Sequence, residues 1–491
     1  MQGRNDGKES FFDFSGAQTG AVLARKNMAG ILAALVFFAL IELLPFADWG
    51  LSAKGQGALA ILGFSVILWV TEAVPSVITS FLMGVLAVAL KVMTLGELQA
   101  SFGNSPFLII LCLLVVSMGM SNTTLAARIS YYFILRIGTS PFKIIFCLMA
   151  AVTLISFVIA DIPATALMAP IAFGILQEMG EEPGKSRLGQ ALMIGLYIGA
   201  GAGGLALING SGINFVGLNV LSNLTKGAYT ISYYQWAAVG VPFALLMIWP
   251  ISACLYYGFG VQKDKDTVKV LDVELFRQKL SDLGPVSMPE TRFIVTILII
   301  MALFITSPLT GLGVPTISFI GLVIVAMPLF GTVNVRECMR KLPWDVLFLV
   351  GMATAFAAGI GSSGLAAWIA GKLSWATGYS LFWLLAVVAV AGTLAHLVIV
   401  ASTSGCVAVL VVAVVSLASA AGVDPRLMVL AAVYVGSVSL LMPIEAGLLI
   451  TKGYNYWQLM DVYKVGIPLS IVWAIVTVLV LYFVGPAAGL V

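Results

Sequence analysis

The chain has 491 residues, 60% of them hydrophobic and only 10% charged, with 25 Lys and Arg against 22 Asp and Glu and a net charge of +3. This composition excludes a water-soluble globular body and a basic nucleic-acid surface, and its repeated apolar runs of about 18–22 residues are long enough to cross a bilayer. One histidine, five scattered cysteines without metal spacing and no GxxxxGK[ST] loop argue against an enzyme, a bound cofactor and ATP drive.

In chain order, residues 1–27 are polar and read as a cytoplasmic segment ending in Arg25-Lys26. The first apolar run, 28–46, closes on Pro45-Phe46-Ala47-Asp48 with no small-residue cleavage site, which marks a retained span. Spans follow at 56–73, 75–92 and 106–123, the last running into Ser121-Asn122-Thr123-Thr124-Leu125-Ala126-Ala127. A helical hairpin near 142–178 breaks at Ala160-Asp161-Ile162-Pro163, and the next span, 188–222, is broken at 203–214. After a span at 234–257 comes a polar stretch, 258–292, whose part from Val268 to Leu280 is amphipathic and suited to the membrane surface. Spans at 291–308 and 314–331 lead to a restart of the earlier pattern at 344–361, about 240 residues after its first appearance. Gly361-Ser362-Ser363-Gly364-Leu365-Ala366-Ala367 is followed by a second hairpin near 380–421, breaking at Ala401-Ser402-Thr403-Ser404-Gly405. A second broken span, 426–458, and a final span, 464–485, complete the order. Interruptions at matching places in two halves of a membrane protein point to a transporter's binding site.

The expected fold is therefore an all-α polytopic membrane protein with about eleven transmembrane helices and two re-entrant helical hairpins. With the N-terminus in the cytoplasm and the C-terminus outside, 20 of the 25 basic residues fall on the inner side. Treating either hairpin alone as a full crossing spoils that bias. The span at 344–361 is the fifth crossing after 106–123, an odd number, so the two halves form an inverted repeat and the hairpin tips approach each other near the midplane.

Irregular backbone at membrane depth survives only inside protein or beside a water-filled cavity. There, helix N-termini favour anions, while carbonyls and hydroxyls coordinate Na⁺. Asp161 and Glu445 are the two buried-acid candidates for the coupling cation, with Na⁺ possible at either, because a carboxylate in hydrocarbon is expensive and marks function. Gly203, Gly204 and Gly210 allow the close backbone approach of a dehydrated ion. Thr165, Asn209, Asn214, Ser402, Thr403 and Ser404 are the candidate substrate contacts. Against this stand plainer readings: membrane Ser and Thr often bond their own helix carbonyls, glycines often serve packing alone, His396 reads as a packing histidine, and Glu72 as structural.

Three motifs carry a family resemblance. Trp69-Val70-Thr71-Glu72-Ala73-Val74-Pro75, Pro343-Trp344-Asp345-Val346-Leu347-Phe348 with Ser363-Gly364-Leu365-Ala366, and Gly203-Gly204-Leu205-Ala206-Leu207-Ile208 with Gly210 and Asn214 resemble signatures of the divalent anion/sodium symporter family, the sodium-coupled dicarboxylate, citrate and sulfate carriers. The resemblance covers nearly the whole chain. It implies an elevator-type carrier and a homodimer in the plasma or bacterial inner membrane. In those terms, residues 28–105, 223–343 (with the cytoplasmic linker) and 459–491 are scaffold, while 106–222 and 344–458 are the two transport elements. The family's Ser-Asn-Thr hairpin tips, which hold substrate carboxylate and line the Na⁺ sites, align here with Ala160-Asp161-Ile162 and Ala401-Ser402-Thr403. Ala160, Ala401, Ser402 and Pro443 thereby join the cation-coupling candidates.

The departures turn a polar, symmetric site into an asymmetric, acidic one. An ionised Asp161 about 5 Å from a dianion is repelled by several kcal/mol at an effective dielectric near 20. It requires Na⁺, a proton, or a substrate other than a dianion. The resulting expectation is a secondary carrier for a small anion of the carboxylate, sulfate or sulfonate type, driven by Na⁺ or H⁺. The rival is a cation/proton antiporter with Asp161 and Glu445 as exchange sites.

Overall fold

Proline, glycine and polar caps divide the apolar sequence into helices whose order repeats. The computed structural model describes residues 21–71, 73–263, 273–328, 330–342, 344–372, 378–396, 403–441 and 445–490. All regular elements among them are helical. After α1 (Ala21–Leu43), a first run comprises α2 (Ala53–Thr71), α3 (Ser76–Ala89), α4 (Leu95–Ser101), α5 (Ser105–Ser121), α6 (Leu125–Ile137), α7 (Pro141–Ile155), α8 (Asp161–Glu178), α9 (Arg187–Gly204), α10 (Gly212–Leu224) and α11 (Tyr233–Gly258). The linker helix α12 (Val273–Asp282) follows, overlapping most of the stretch from Val268 to Leu280 whose pattern is amphipathic.

The second run matches the first element for element: α13 (Met288–Thr310), α14 (Val314–Ala326), α15 (Val335–Lys341), α16 (Trp344–Ser363), α17 (Leu365–Lys372), α18 (Leu381–Ala395), α19 (Thr403–Ala421), α20 (Pro425–Gly436), α21 (Ala446–Lys452) and α22 (Leu459–Val484). The lengths agree where local signals are strongest. α4 and α15 each have 7 residues, α7 and α18 each have 15, and α11 and α22 each have 26. The short α4 and α15 open on side-chain caps, Thr94 and Asn334, which accept from backbone N–H groups of their first turns. The two runs also pack crosswise: α3 lies on α16 and α14 on α5, while α10 lies on α19 and α21 on α8. This reciprocity is what an internal repeat, expected from the sequence, requires. The matching order of helices begins before the 106–222 and 344–458 stretches expected as transport elements, at α2 and α13.

Three helices among the described residues are long and apolar enough to cross a membrane by themselves: Tyr233–Gly258, Met288–Ser307 and Leu459–Val484. Eight further apolar helices run 10–17 residues, so helix length alone does not reproduce the eleven crossings expected from the sequence. The sequence motif at residues 121–129 proves to be a corner. Phe107–Ser121 and Leu125–Ile137 meet at 63°. The amphipathic α6 buries Leu125, Ala126, Ser130 and Ile134 and leaves Tyr132 and Arg136 exposed. The motif at 361–369 holds the equivalent break between α16 and α17, where Gly364 takes φ +82°.

That first corner is fastened to the start of the second run. Arg128 on α6 pairs with Glu290 at 3.3 Å and donates to the Gly284 carbonyl at 3.0 Å. Glu290 is 1% exposed and also accepts from the Thr124 hydroxyl at 2.6 Å. Removing Arg128 strands a buried carboxylate. We expect Arg128→Ala to cost about 2–3 kcal/mol, read as a lowered unfolding midpoint that Arg128→Lys partly restores.

Candidate functional site

The first half of the site is built where α7, α8 and α9 converge. α7 runs into a turn at residues 156–160, and α8 begins at Asp161 with Ala160 as its N-cap. Pro163 sits in that first turn, where a missing N–H costs nothing. The Asp161 carboxylate accepts from the Ile162 N–H at 2.9 Å, and the Thr165 hydroxyl donates back to the Asp161 carbonyl at 2.9 Å. Opposite, α9 stops at Gly204 and the chain crosses to α10 through a single 3-10 turn, Ile208–Gly210. Glycine is required on both sides of this break. A Cβ on Gly203 would lie 2.1 Å from the Thr153 carbonyl oxygen, and one on Gly210 would lie 2.6 Å from the Gly204 carbonyl oxygen.

Side chains then close the hydrogen bonds that the break leaves open. Buried Asn214 donates from Nδ2 toward the carbonyls of Gly204 (2.8 Å), Leu207 (3.1 Å) and Ile208 (3.3 Å). Asn209 donates to the Phe157 carbonyl at 3.3 Å and accepts from the Tyr233 hydroxyl at 2.8 Å, tying the break to the hairpin tip and to α11. The Trp236 indole donates to the Leu205 carbonyl at 2.9 Å. Unsatisfied backbone is costly away from water, and these three residues supply its partners. Asn214→Ala orphans buried carbonyls. We expect a loss of about 2–3 kcal/mol, seen as a lowered midpoint in thermal unfolding of the purified protein.

The second half repeats this plan with different chemistry. α20 ends at Gly436, the Ser437 hydroxyl donates to the Val433 carbonyl, and Glu445 is the N-cap of α21. α22 seats on this break as α11 seats on the first. The Trp473 indole donates to the Tyr434 carbonyl at 2.9 Å, and a Cβ on Gly466 would lie 2.0 Å from the Leu440 carbonyl oxygen. In the first half the equivalent contact is Gly240, whose Cβ would lie 2.4 Å from the Leu205 carbonyl oxygen.

Between the halves lies a cavity of about 400 Å³. Its polar lining comes from Asp161 at the first tip, Asn209 and Ser211 at the first break, Thr403 at the start of α19, Ser437 and Glu445 at the second break, Tyr197 on α9 and Lys341 on α15. Ile110, Leu113 and Leu114 of α5 form an apolar wall. Ser211 also caps α10, accepting from the Ile213 N–H at 3.4 Å, so the positive end of that helix faces the same region. Tyr197 stands within electrostatic reach of both acids, and the two acids are within reach of one another. Two like charges sharing one protein-enclosed cavity are costly unless a cation or protons join them. Every polar side chain here offers oxygen or nitrogen rather than sulfur, and the carboxylates, hydroxyls and carbonyls form a donor set that suits a hard cation such as Na⁺.

The structure thus brings Asp161, Glu445, Asn209, Thr403 and Ala160 to one cavity. Thr165, Asn214, Gly203, Gly204 and Gly210 stand behind it, bonded to or packed against the backbone that shapes it. Ala401, Ser402 and Pro443 lie outside the described residues, as do Glu72 and Pro343, and only the backbone of Ser404 is described. His396 is buried and its Nε2 meets the Val435 carbonyl at 3.1 Å, a packing arrangement. Tyr197 and Lys341 went unread in the sequence. Tyr197 sits inside an apolar, glycine-rich helix, and Lys341 looks like one more cytoplasmic loop charge.

The family model described as "Sodium:sulfate symporter transmembrane region" matches residues 25–489. A sodium-dependent dicarboxylate transporter, SdcS, of Staphylococcus saprophyticus is 26% identical over 480 residues, covering 93% of this chain and 91% of that protein. A protein named only "Membrane protein" from Cupriavidus necator is 26% identical over 358 residues, covering 69% of this chain and 68% of its own. Among solved structures, the Alcanivorax borkumensis YdaH transporter superposes with a TM-score of 0.55 at 16% identity, covering 80% of this chain and 87% of that one, a likeness of fold. With the family model spanning nearly its whole length, this integral membrane protein belongs to the sodium:sulfate symporter family.

Proposed function

We propose that the protein is a secondary active carrier that moves a small anion of the dicarboxylate or sulfate kind together with Na⁺. The observation that carries this reading is the meeting of Asp161 and Glu445 with Thr403, Ser211 and the start of α10 in one cavity. The acids attract cations, and cations bound there offset the repulsion that two carboxylates exert on an anion. The hydroxyls and the α10 N-terminus then offer donors to that anion. Each ligand makes the other's binding easier, and that reciprocity is the thermodynamic basis of coupling. Na⁺ rather than H⁺ is supported by the sodium-dependent relatives. The cation/proton antiporter finds no such support, since the family and the named relative pair sodium with an anion.

By analogy with the family we further propose a homodimer whose two hairpin-bearing elements, 106–222 and 344–458, move as an elevator against the remaining helices. The test is uptake of radiolabelled succinate and sulfate into proteoliposomes under an imposed Na⁺ gradient. Accumulation that collapses when the gradient is dissipated supports the reading. Na⁺ flux that is indifferent to every anion supports the antiporter instead.

A further inference from the structure

The cavity's charge balance is uneven: two carboxylates and, among the described lining residues, one cation, Lys341. Resting on the carrier reading above, we propose that Lys341 is the anion-capturing residue of the cavity, passing its ammonium from Glu337 to the incoming substrate. Lys341 is the last residue of α15, and its Nζ lies 2.6 Å from Glu337 Oε1 one turn earlier. The lysine and glutamate side chains are 63% and 53% exposed. An exposed i,i+4 pair of this kind binds weakly and exchanges easily. The ammonium therefore has a resting partner it can leave at little cost, in a place where it already lines the cavity.

The repeat sharpens the assignment. α4, the counterpart of α15 in the first run, ends instead in Ser101, which is buried and donates to the Leu98 carbonyl at 2.7 Å. The same structural position is neutral in one half and cationic in the other, so the fold does not demand a lysine there. Lys341 lies in the basic cluster Arg336-Arg340-Lys341 that the charge distribution places on the cytoplasmic side. Its flexible stem, carrying three ammonium donors, suits a carboxylate or sulfate oxygen approaching from the mouth, without fixing the bidentate geometry an arginine would impose. Thr403 and Ser211, lining the same cavity, can take the far end of the anion.

The test titrates succinate and sulfate against full-length purified protein at fixed Na⁺ and reads thermal stabilisation, which reports binding by mass action. Lys341→Gln should need about tenfold more of either anion for half-maximal effect, the loss of one charge-assisted contact. Lys341→Arg should stay within about threefold of wild type, since the charge remains. Glu337→Gln should need about threefold less anion, because the ammonium is released from its resting partner. Lys341 is exposed, so these variants should fold, and the Na⁺ concentration for half-maximal effect at saturating anion should not move in Lys341→Gln. A wild-type response that Lys341→Gln leaves unchanged overturns this inference while leaving the carrier reading intact. A wild-type protein that neither anion stabilises overturns the carrier reading for these substrates, and this inference with it.

Discussion

Asp161→Asn should raise the Na⁺ concentration for half-maximal anion uptake at least tenfold, equivalent to about 1.4 kcal/mol, while the protein stays folded. The carboxylate begins α8, accepts from the Ile162 N–H, and faces the cavity that Glu445 shares. An amide can keep backbone hydrogen bonds of this kind through its oxygen but carries no charge to hold a cation. Glu445→Gln should move the same quantity in the same direction. The two effects should not add, because each acid senses the other's charge. The measurement is initial uptake against Na⁺ concentration at two pH values in proteoliposomes. Unchanged Na⁺ and pH dependence in Asp161→Asn would remove that carboxylate from the coupling site.

Gly203→Ala and Gly466→Ala should each destabilise the protein by about 3 kcal/mol or more, enough to lose much of the folded material. A methyl on either meets a backbone carbonyl oxygen, at 2.1 Å from Thr153 and 2.0 Å from Leu440. No rotamer change relieves a backbone clash, so a helix must shift away from the break it supports. Gly174, in the middle of α8, is the control, because nothing lies within 4 Å of the position its Cβ would take. Gly174→Ala should be neutral or stabilising by about 0.5–1 kcal/mol through helix propensity. Detergent-solubilised thermal unfolding of the three variants separates these cases. Equal midpoints for Gly203→Ala and Gly174→Ala would show that α7 and α9 are not in the close contact described.

Much of this arrangement is legible in the residues. A hydrophobic run that stops at Asp161-Ile162-Pro163 or at Gly203-Gly204 cannot continue as an ordinary buried helix, and the same stops recur in the second half at Thr403 and Glu445. Buried acids are rare enough in apolar segments to single out Asp161 and Glu445 at once. What escaped was whatever depends on side-chain direction or on partners far along the chain. Asn214 reads as a ligand from its motif; its Nδ2 is directed at three carbonyls of the break beside it, a structural task the motif does not announce, while its Oδ1 has no hydrogen-bond partner among the described residues. Thr165 is likewise turned back onto its own helix. Lys341 carries no local sign that α15 places it at a cavity shared with α8 and α21. The polar Ser121-Asn122-Thr123-Thr124 marks the end of a span in the sequence, but nothing local says that α6 leaves that point at 63°. The likeness of α4 and α15 has no sequence signal either, since they share length and side-chain capping but hardly any sequence.

The most direct test of the central claim, that one cavity binds anion and cation together, is equilibrium binding of succinate and sulfate to the purified protein with Na⁺ present and with Na⁺ replaced by choline. At least one anion should bind with Na⁺ and lose at least tenfold in affinity without it, and Na⁺ binding should tighten by the same factor when that anion is present. Anion affinity indifferent to Na⁺, or Na⁺ binding indifferent to both anions, would contradict that claim.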